Sequence, residues 1–312
     1  MVRVDERTRS RKMKSRVALV TCSAYPDLPA DDQLLSAALH RQGVSPAAAV
    51  WNNPQEAWHE YDAIVLRSCW DYHLRPAEFR GWLDHLEQRA VHPHPHPHLP
   101  PPVYNDVPTV RWNMTKTYLR DLATAGVATA PTVWVPKGTA TTLQSIVESV
   151  GWEQLVVKPA VSATAYKTWR VERARVRQHE ARFARLIRAR DMMVQQFLPD
   201  VLSEGELSLV FLAGAFSHAV RKRPATGDFR VQEQFGGTAK RAEVELGLTR
   251  QAAAAVAAAP GKPLYARVDG VVVEGGLVLM ELELVEPMLY FGLDDAAADR
   301  LAIEIKRRIE TR

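Results

Sequence analysis

The chain has 312 residues, 46% hydrophobic and 24% charged, which is long enough for two or three domains with their own apolar cores. Its net charge of +4 arises in residues 1–16, which carry a local balance of +5 and leave about −1 for the remainder. No apolar run has the length of a signal peptide core or a membrane span, and two cysteines are too few for a disulfide scaffold or a zinc cluster. We therefore expect a soluble cytoplasmic protein whose residues 1–16 form a disordered basic tail, with no membrane or nucleic-acid partner.

Short apolar segments alternate with helix-like segments in the first part of the chain. Strands are predicted at 17–22, near 47–51 and at 63–70, with a helix that ends at Gly43 between the first two. This order predicts an α/β domain with a largely parallel sheet. Ligands bind such sheets beyond the carboxyl ends of the strands. Those ends here carry Ser23, Tyr25, Arg67, Ser68, Trp70, Asp71 and Tyr72.

Arg67 follows directly after the apolar run 63–66. A guanidinium group in that position could hold a substrate carboxylate in a bidentate pair. The alternative is a surface arginine paired with Asp71. The sequence leaves both interpretations open.

Residues 91–102 alternate histidine and proline. Proline favours extended polyproline geometry, which separates the imidazoles and supports no packed core. We expect a flexible loop between domains. Metal capture is the alternative, through His92, His94, His96 and His98.

A helix is predicted over 110–127, with Gly126 as its stop signal. Lys116 falls in its first turn, where the helix dipole disfavours a cation, so a bound anion would compensate. Strands follow at 129–135 and 155–160, and Lys158 lies near the end of the second. The small, hydroxyl-rich segment 161–170 suits a mobile flap whose amides cover phosphates, or else an ordinary hairpin loop.

The later segments alternate between helix and strand patterns. An arginine-rich helix over 178–190 has Phe183, Leu186 and Ile187 at core spacing and a solvated basic face. A strand ending in a Pro-bounded linker is predicted at 192–199, a hairpin that turns at Gly214, and a polar loop at 227–239. Helices are predicted over 249–259 and 294–310.

Residues 264–290 predict a β-hairpin, because two apolar runs flank Glu274, Gly275 and Gly276. A three-residue turn sets the register as Val273 opposite Leu277, Val271 opposite Leu279, Asp269 opposite Glu281, and Arg267 opposite Glu283. Side chains alternate along a strand, so the four charged residues share one face at the open end. The other face is expected to be apolar and to comprise Val268, Gly270, Val272, Val278, Met280, Leu282 and Leu284.

Three carboxylates beside one arginine in an apolar sheet require a partner, because unpaired buried charge is costly. A divalent cation held through oxygen ligands would remove that cost, and Mg²⁺ suits carboxylates when phosphates complete its shell. The alternative is a structural salt bridge between Arg267 and Glu283, with Asp269 and Glu281 solvated. The hairpin alone does not decide between them.

The order of these elements resembles the ATP-grasp ligases over roughly residues 111–290. The resemblance rests on Lys116 at a helix start, Lys158 before a small-residue flap, a strand running into an apolar linker, and Arg-x-Asp and Glu-x-Glu strands. It implies an N-terminal Rossmann-like α/β domain followed by two α+β subdomains that clamp ATP. The implied boundaries are 1–16, 17–110, 111–198 and 199–312.

The resemblance also implies roles for individual residues. Lys116 and Lys158 match the lysines on the ATP phosphates, and Gln195, Gln196, Phe197 and Leu198 match the hinge that holds adenine. Glu206 matches the acid near the ribose, and Lys222 and Arg230 match basic residues over the phosphates. Asp269, Glu281 and Glu283 match the metal ligands, and Arg267 the arginine that steadies the tetrahedral intermediate. Lys158 and Arg230 join Arg267 as candidate catalytic groups.

Two departures from the family pattern stand out. Glu283 replaces the asparagine that most relatives have, which adds negative charge, and the flap SATAY lacks the usual glycines. Phrases such as LVTCSAYPDLPADD, VLRSCWDY and MELELVEPMLYF look like the group that contains the cyclo-ligase of cycloserine biosynthesis. That likeness makes Arg67, Asp71, Tyr25 and Glu286 candidates for binding the substrate.

The expected activity is an ATP-dependent carboxylate-amine ligation through an acyl phosphate, with ring closure of O-ureido-D-serine as the reaction of that group. One or two Mg²⁺ ions, replaceable by Mn²⁺, are implied, and a small amino-acid-like molecule is the expected partner. Homo-oligomers are left open. The alternatives are an ATP-grasp enzyme that adds amino acids to a peptide or protein tail, and a non-catalytic metal-binding or nucleic-acid-binding protein.

Overall fold

A computed structural model describes residues 15–91 and 101–312 of the protein. Most of the predicted basic tail lies outside these residues, as do His92, His94, His96 and His98. The described part contains three sheets and the helices that pack on them. None of its helices combines the length and the apolar character that crossing a lipid bilayer requires.

The first sheet confirms the predicted parallel α/β unit. Its strands are β1 (Arg16–Thr21), β2 (Ser45–Val50), β3 (Ala63–Ser68) and the short β4 (Val103–Tyr104), in the order β2-β1-β3-β4. Helices α1 (Ala30–Arg41) and α2 (Pro76–Val91) belong to this unit. All of β3 and nearly all of β1 are buried, as expected for central strands covered on both faces. Their carboxyl ends therefore meet at one edge of the sheet.

The second sheet is antiparallel, in the order β5-β8-β6-β7. Its strands are β5 (Thr132–Val135), β6 (Gln154–Pro159), β7 (Trp169–Glu172) and β8 (Met192–Gln196), and its helices are α5 (Leu143–Val150) and α6 (Glu180–Ile187). Thr142 caps α5 by accepting from the Ser145 N–H, and Gly151 ends it with φ of 71°. Phe183, Leu186 and Ile187 are buried, which confirms the amphipathic pattern of α6.

The third sheet is antiparallel, in the order β11-β10-β9-β12-β13. Its strands are β9 (Glu206–Leu212), β10 (Ala215–Arg223), β11 (Thr238–Ala242), β12 (Tyr265–Val273) and β13 (Gly276–Glu283). Helix α7 (Asp200–Ser203) precedes these strands, α8 (Leu246–Ala257) lies between β11 and β12, and α9 (Ala297–Glu310) follows β13. The edge strand β11 was not predicted: its first two residues were assigned to the polar loop at 227–239, and the others to no element. A largely exposed edge strand lacks the apolar alternation that indicates a strand.

The single helix predicted over 110–127 is wrong. The chain forms α3 (Val107–Asn113) and α4 (Tyr118–Thr124), with Lys116 in the break between them. The backbone N–H of Lys116 donates to the carbonyl of Ala160 at 2.8 Å instead of to a carbonyl one turn earlier. This contact ties Lys116 to the end of β6.

The predicted hairpin exists, but its turn is one residue shorter than expected. Val273 pairs with Gly276, so the turn holds only Glu274 and Gly275, both with positive φ as a tight two-residue turn requires. A bulge at Met280 then inserts the residue that the turn lacks. The two one-residue differences cancel, so Asp269 lies opposite Glu281 as predicted, and the Arg267–Glu283 pair is also as predicted.

The bulge changes which apolar residues share each face. Val278 and Met280, predicted on the face away from the charges, pack instead with Val271 and Val273. Leu279 moves to the opposite face and joins the core that contains Val268 and Leu282. The charged residues thus have Met280 beside them on the same face.

Helix α9 packs against α1 of the first unit, far from it in sequence. Leu301 and Ile305 of α9 lie in one core with Val17 and Leu39, together with Leu212 from the third sheet. The salt bridge between Arg41 and Asp299, 2.9 Å long, joins the two helices at the surface. The cores therefore do not follow chain order, and the proposed domain boundaries stay predictions.

Candidate active site

A cavity of about 890 Å³ lies where the three sheets meet. Its wall includes Tyr25, Trp70 and Asp71 beyond the first sheet, the hinge after β8, and the charged end of the β12–β13 hairpin. Sixteen of the seventeen predicted site residues line it: Tyr25, Asp71, Lys116, Lys158, Gln195, Gln196, Phe197, Leu198, Glu206, Lys222, Arg230, Arg267, Asp269, Glu281, Glu283 and Glu286. The exception is Arg67.

Asp269 is the most strongly bonded carboxylate of the cavity. It accepts from Arg267 at 2.9–3.1 Å and from the Ser208 hydroxyl at 2.6 Å, and its Oδ2 lies 3.3 Å from Nζ of Lys222. Burial alone would raise the pKa of Asp269, but the charges of Arg267 and Lys222 lower it. Asp269 is only 3% exposed and ionised, which contradicts the alternative in which it is solvated.

Glu281 and Glu283 are each bonded to one cation and remain partly open to the cavity. Lys116 donates to Glu281 at 2.5 Å, and Arg267 donates to Glu283. Burial raises the pKa of Glu283 to about 7 against the Arg267 charge, with the Asp269 and Glu281 charges adding to the increase. The salt bridge predicted between Arg267 and Glu283 is therefore present, within a larger network.

The cavity wall carries more acid than base at this end. Its carboxylates are Glu206, Asp269, Glu281, Glu283 and Glu286, and its bases are Lys116, Lys158, Lys222 and Arg267, so the acids exceed the bases by one. The elevated pKa of Glu283 has its physical origin in this excess and in burial. A further cation at Glu281 and Glu283 would offset the excess of negative charge and lower the pKa of Glu283.

Carboxylate oxygens are the ligands that Mg²⁺ prefers, so the donor chemistry fits a divalent cation. Among the residues that the structure describes, no group of three or more His, Cys, Asp or Glu side chains is arranged to hold a metal ion. Each of Asp269, Glu281 and Glu283 bonds a cationic side chain instead. The metal role stays a prediction, and it requires Lys116 and Arg267 to yield part of their contact with the two glutamates.

Lys158 and Lys222 differ although both are buried at the cavity. Lys222 is paired with Glu206 and with Asp269, and these charges raise its pKa although burial opposes them. Lys158 makes no hydrogen bond or ion pair with any described residue, and burial lowers its pKa to about 8. Lys158 is thus the cation available to an anionic ligand, whereas Lys222 and Glu206 are bonded to each other.

The hinge after β8 also lines the cavity. Gln195 donates through its side chain to Thr132 at 3.1 Å, while Phe197 has the guanidinium of Arg170 over its ring at 5.1 Å. Leu198 and Val201 extend the apolar wall. Arg230 lies at the mouth of the cavity, paired with Asp228 and stacked on Phe235 at 3.6 Å.

The segment between β6 and β7 covers one side of the cavity. It connects two paired strands, and residues 162–166 line the cavity wall. Thr164, Ala165 and Lys167 have φ of 50–56°, a conformation that costs less in glycine than in these residues. The mobility expected of a flap stays a prediction.

His73 and Tyr166 line the cavity but were not among the predicted site residues. The two rings are in contact, with centroids 4.9 Å apart and planes inclined at 58°, which joins the β6–β7 segment to the end of the first sheet. Burial lowers the pKa of His73, so its imidazole is neutral at pH 7. The sequence could have indicated His73, because it lies two residues after Asp71, beyond the carboxyl end of the strand where ligands were expected.

The structure contradicts both interpretations of Arg67. Ala63 and Val65 face the core shared with α1 and α9, and Arg67 continues that face of β3. It is 1% exposed, donates to Asp32 at 2.9 Å and to the carbonyl of Pro287 at 3.0 Å, and does not line the cavity. Asp71 pairs with Arg75 and accepts from the Trp51 indole at 2.7 Å instead.

Comparisons with known proteins agree with this architecture. A family model described as the N-terminal domain of D-cycloserine synthetase DcsG matches residues 17–93. The cycloserine biosynthesis protein DcsG of Streptomyces lavendulae is 28% identical over 317 residues, which span 94% of this chain and 99% of that protein. The crystal structure of D-cycloserine synthetase DcsG has a TM-score of 0.82 and 26% identity, covering 95% of this chain and 100% of that one.

Two further solved structures share the fold at lower identity. The D-alanine–D-alanine ligase of Bacillus anthracis, complexed with ATP, has a TM-score of 0.66 at 17% identity, with 95% of this chain and 99% of that chain covered. A RimK domain ATP-grasp protein of Sphaerobacter thermophilus has a TM-score of 0.63 at 17% identity, with 93% and 98% covered. The chain has the ATP-grasp fold, and it resembles D-cycloserine synthetase DcsG over almost its whole length.

Proposed function

We propose that the protein is an ATP-dependent ligase that joins a carboxylate to an amine in a small amino-acid-like molecule. The observation that carries this proposal is the cavity, whose wall combines the apolar residues of the hinge with four buried cations and five carboxylates. A cavity of about 890 Å³ has room for a nucleotide and a small amino acid. A ligand with both an apolar base and several phosphates matches this distribution.

The charged end suits phosphoryl transfer to a carboxylate. A carboxylate is a poor electrophile, and transfer of the γ-phosphoryl group converts it into an acyl phosphate with ADP as the other product. Such a reaction asks the protein mainly for positioning and for stabilisation of negative charge. Lys158 and Lys116 are the cations best placed for the phosphates, since Lys158 is unpaired within the described chain and Lys116 bonds only Glu281 and a backbone carbonyl.

A divalent cation held by Glu281 and Glu283, with Asp269 beside them, would neutralise phosphate charge. Mg²⁺ is the proposed ion, and Mn²⁺ has the same oxygen preference. Arg267 holds Asp269 and Glu283 in place and faces the cavity, where it can stabilise the oxyanion formed when the amine attacks the acyl phosphate. Inorganic phosphate then leaves, and the amide bond remains.

The substrate end is the part of the cavity near Tyr25, Trp70 and Glu286. Glu286 is 8% exposed, and its carboxyl group has no hydrogen-bond partner among the described residues. A substrate ammonium group would supply that partner. Because the chain resembles a protein named D-cycloserine synthetase, we propose ring closure of O-ureido-D-serine as the reaction. The ureido nitrogen bonded to oxygen attacks the acyl phosphate, inorganic phosphate leaves, and water releases the carbamoyl group as carbon dioxide and ammonia.

This proposal is tested by ADP release with ATP and Mg²⁺ across a panel of substrates. The panel contains O-ureido-D-serine, its L enantiomer, D-alanine, D-serine and a short peptide, with products identified by mass spectrometry. We expect release confined to O-ureido-D-serine, with a cyclic product. ADP release with D-alanine or with the peptide would show that the enzyme joins two molecules and does not close a ring. The absence of ADP release with every compound would overturn the proposed substrate class.

The pKa of Lys158 also predicts how the affinity for ATP depends on pH. Its pKa in the free protein, about 8, lies below the usual value of 10.5, so the side chain loses its charge as the pH rises above 8. ATP stays fully ionised there, so its affinity should fall by up to about tenfold per pH unit above that point. Calorimetric titration with ATP between pH 7 and 9.5 measures this change.

Two variants at the same position serve as controls for that titration. Lys158→Arg keeps its charge throughout the range and should bind ATP with little dependence on pH. Lys158→Met should bind ATP weakly at every pH. A wild-type profile as flat as that of Lys158→Arg would contradict the proposed contact between Lys158 and the phosphates.

A further inference from the structure

Side chains from distant parts of the chain hold the segment that follows β13. Residues 285–291, called the clamped loop here, have five consecutive carbonyl groups that each accept a hydrogen bond from a side chain. The donors are Tyr265 to Val285 (3.1 Å), Trp70 to Glu286 (3.0 Å), Arg67 to Pro287 (3.0 Å), Arg267 to Met288 (2.8 Å) and His218 to Leu289 (2.9 Å). The loop therefore obtains from side chains the bonds that a strand would obtain from a neighbouring strand.

Two amide groups of the same loop are bound by one carboxylate. The N–H groups of Leu289 and Phe291 donate to Asp31 at 3.0 and 2.6 Å. Asp31 lies in the first turn of α1, and its neighbour Asp32 forms the buried salt bridge with Arg67 at 2.9 Å. Arg67 and Asp31 thus bind the clamped loop from the first unit of the protein.

Alternate residues of the clamped loop face opposite sides. Glu286, Met288 and Tyr290 line the cavity. Leu289 and Phe291 are buried in the core with α1 and α9. The position of the three cavity side chains is consequently set by how the loop backbone is held.

We propose that Asp31 and Arg67 are positioning residues that place the clamped loop, and with it Glu286, for the amino-acid substrate. Neither side chain lines the cavity, so any effect on substrate binding must pass through the loop. Trp70 and Arg267 also bind the loop, but they line the cavity themselves and could act directly. The inference rests on the proposed function only in taking the Glu286 end of the cavity as the substrate end.

The test compares Asp31→Ala, Asp31→Asn and the double variant Asp32→Asn/Arg67→Met with the wild type. The double variant removes both members of the buried pair, so neither Asp32 nor Arg67 is left as an unpaired charge. Asp299→Asn is the matched control, because it breaks a salt bridge of α1 with α9 that does not touch the loop. Two quantities are measured: hydrogen exchange of the peptide covering 285–293, and the KM for O-ureido-D-serine beside the Kd for ATP.

We expect the loop amides of Asp31→Ala and of the double variant to exchange at least about tenfold faster, with β5 to β8 unchanged. The KM for the amino acid should rise by about tenfold or more, while the Kd for ATP changes by less than about twofold. Asp31→Asn keeps one acceptor oxygen and should lie between the wild type and Asp31→Ala. Asp299→Asn should match the wild type in every measurement.

The inference is overturned if exchange of the loop is unchanged in the variants, or if the Kd for ATP rises as much as the KM for the amino acid. The exchange measurement needs no substrate, so it decides the role of Asp31 and Arg67 in holding the loop even if the wild type turns over no compound of the panel. In that case the proposed substrate, and not the clamp, has failed.

Discussion

Glu281→Gln should leave the fold intact and abolish ADP formation. The carboxylate of Glu281 bonds the buried Lys116 and faces the cavity, and the charges of Lys116 and Lys158 keep its pKa below the usual value against burial. Glutamine has the same shape but no charge, so it neither neutralises Lys116 nor holds a divalent cation well. ADP release under saturating ATP and Mg²⁺ measures the effect.

Glu274→Gln is the matched control for this variant. It makes the same chemical change in the same hairpin, but at the exposed turn between β12 and β13. We expect wild-type activity from it, and urea unfolding should show that both variants remain folded. Retention by Glu281→Gln of more than about a tenth of the activity, a barrier change under ~1.4 kcal/mol, would count against a metal or phosphate role for Glu281.

The second large effect is expected on stability. Lys222 is 5% exposed and lies between Glu206 and Asp269. Asp269 keeps Arg267 and Ser208 when Lys222 is removed, but Glu206 loses its cation in a buried position. Lys222→Met should therefore lower the free energy of unfolding by about 3–5 kcal/mol, the usual cost of breaking a buried ion pair from one side.

A double variant separates the lost pair from lost packing. In Lys222→Met/Glu206→Gln the buried carboxylate is neutral, so much of the lost stability should return. Urea unfolding of the wild type, both single variants and the double variant gives the interaction free energy. If Lys222→Met alone costs less than about 1 kcal/mol, the ion pair is not the buried contact that the structure describes.

The charged end of the β12–β13 hairpin illustrates how far sequence patterns reach. Alternation along a strand, together with the position of Gly275 and Gly276, predicted Arg267 opposite Glu283 and Asp269 opposite Glu281, and both pairs are correct because the shorter turn and the bulge cancel. The turn length and the bulge at Met280 were not predicted. Bulges depend on packing against other strands, and no local residue pattern encodes that packing.

The cavity residues were predicted mainly through the ATP-grasp resemblance combined with strand ends. Lys158 and the hinge at 195–198 lie where that pattern put them, along the cavity. Their roles toward ATP stay predictions. The aromatic contact between His73 and Tyr166 was missed because it joins two segments almost a hundred residues apart.

By itself, the sequence determined most of the order of helices and strands, the parallel first sheet and the pairing of charges in the late hairpin. Periodicity and turn residues are local properties, and local properties suffice for these features. The tertiary structure alone decided that Arg67 faces Asp32 and Pro287 and not the cavity, that Lys222 pairs with Glu206, and that Lys116 breaks a helix to reach Ala160. Each of these depends on which buried group finds its partner when distant segments pack, because an unpaired charge or amide in the interior is too costly to remain.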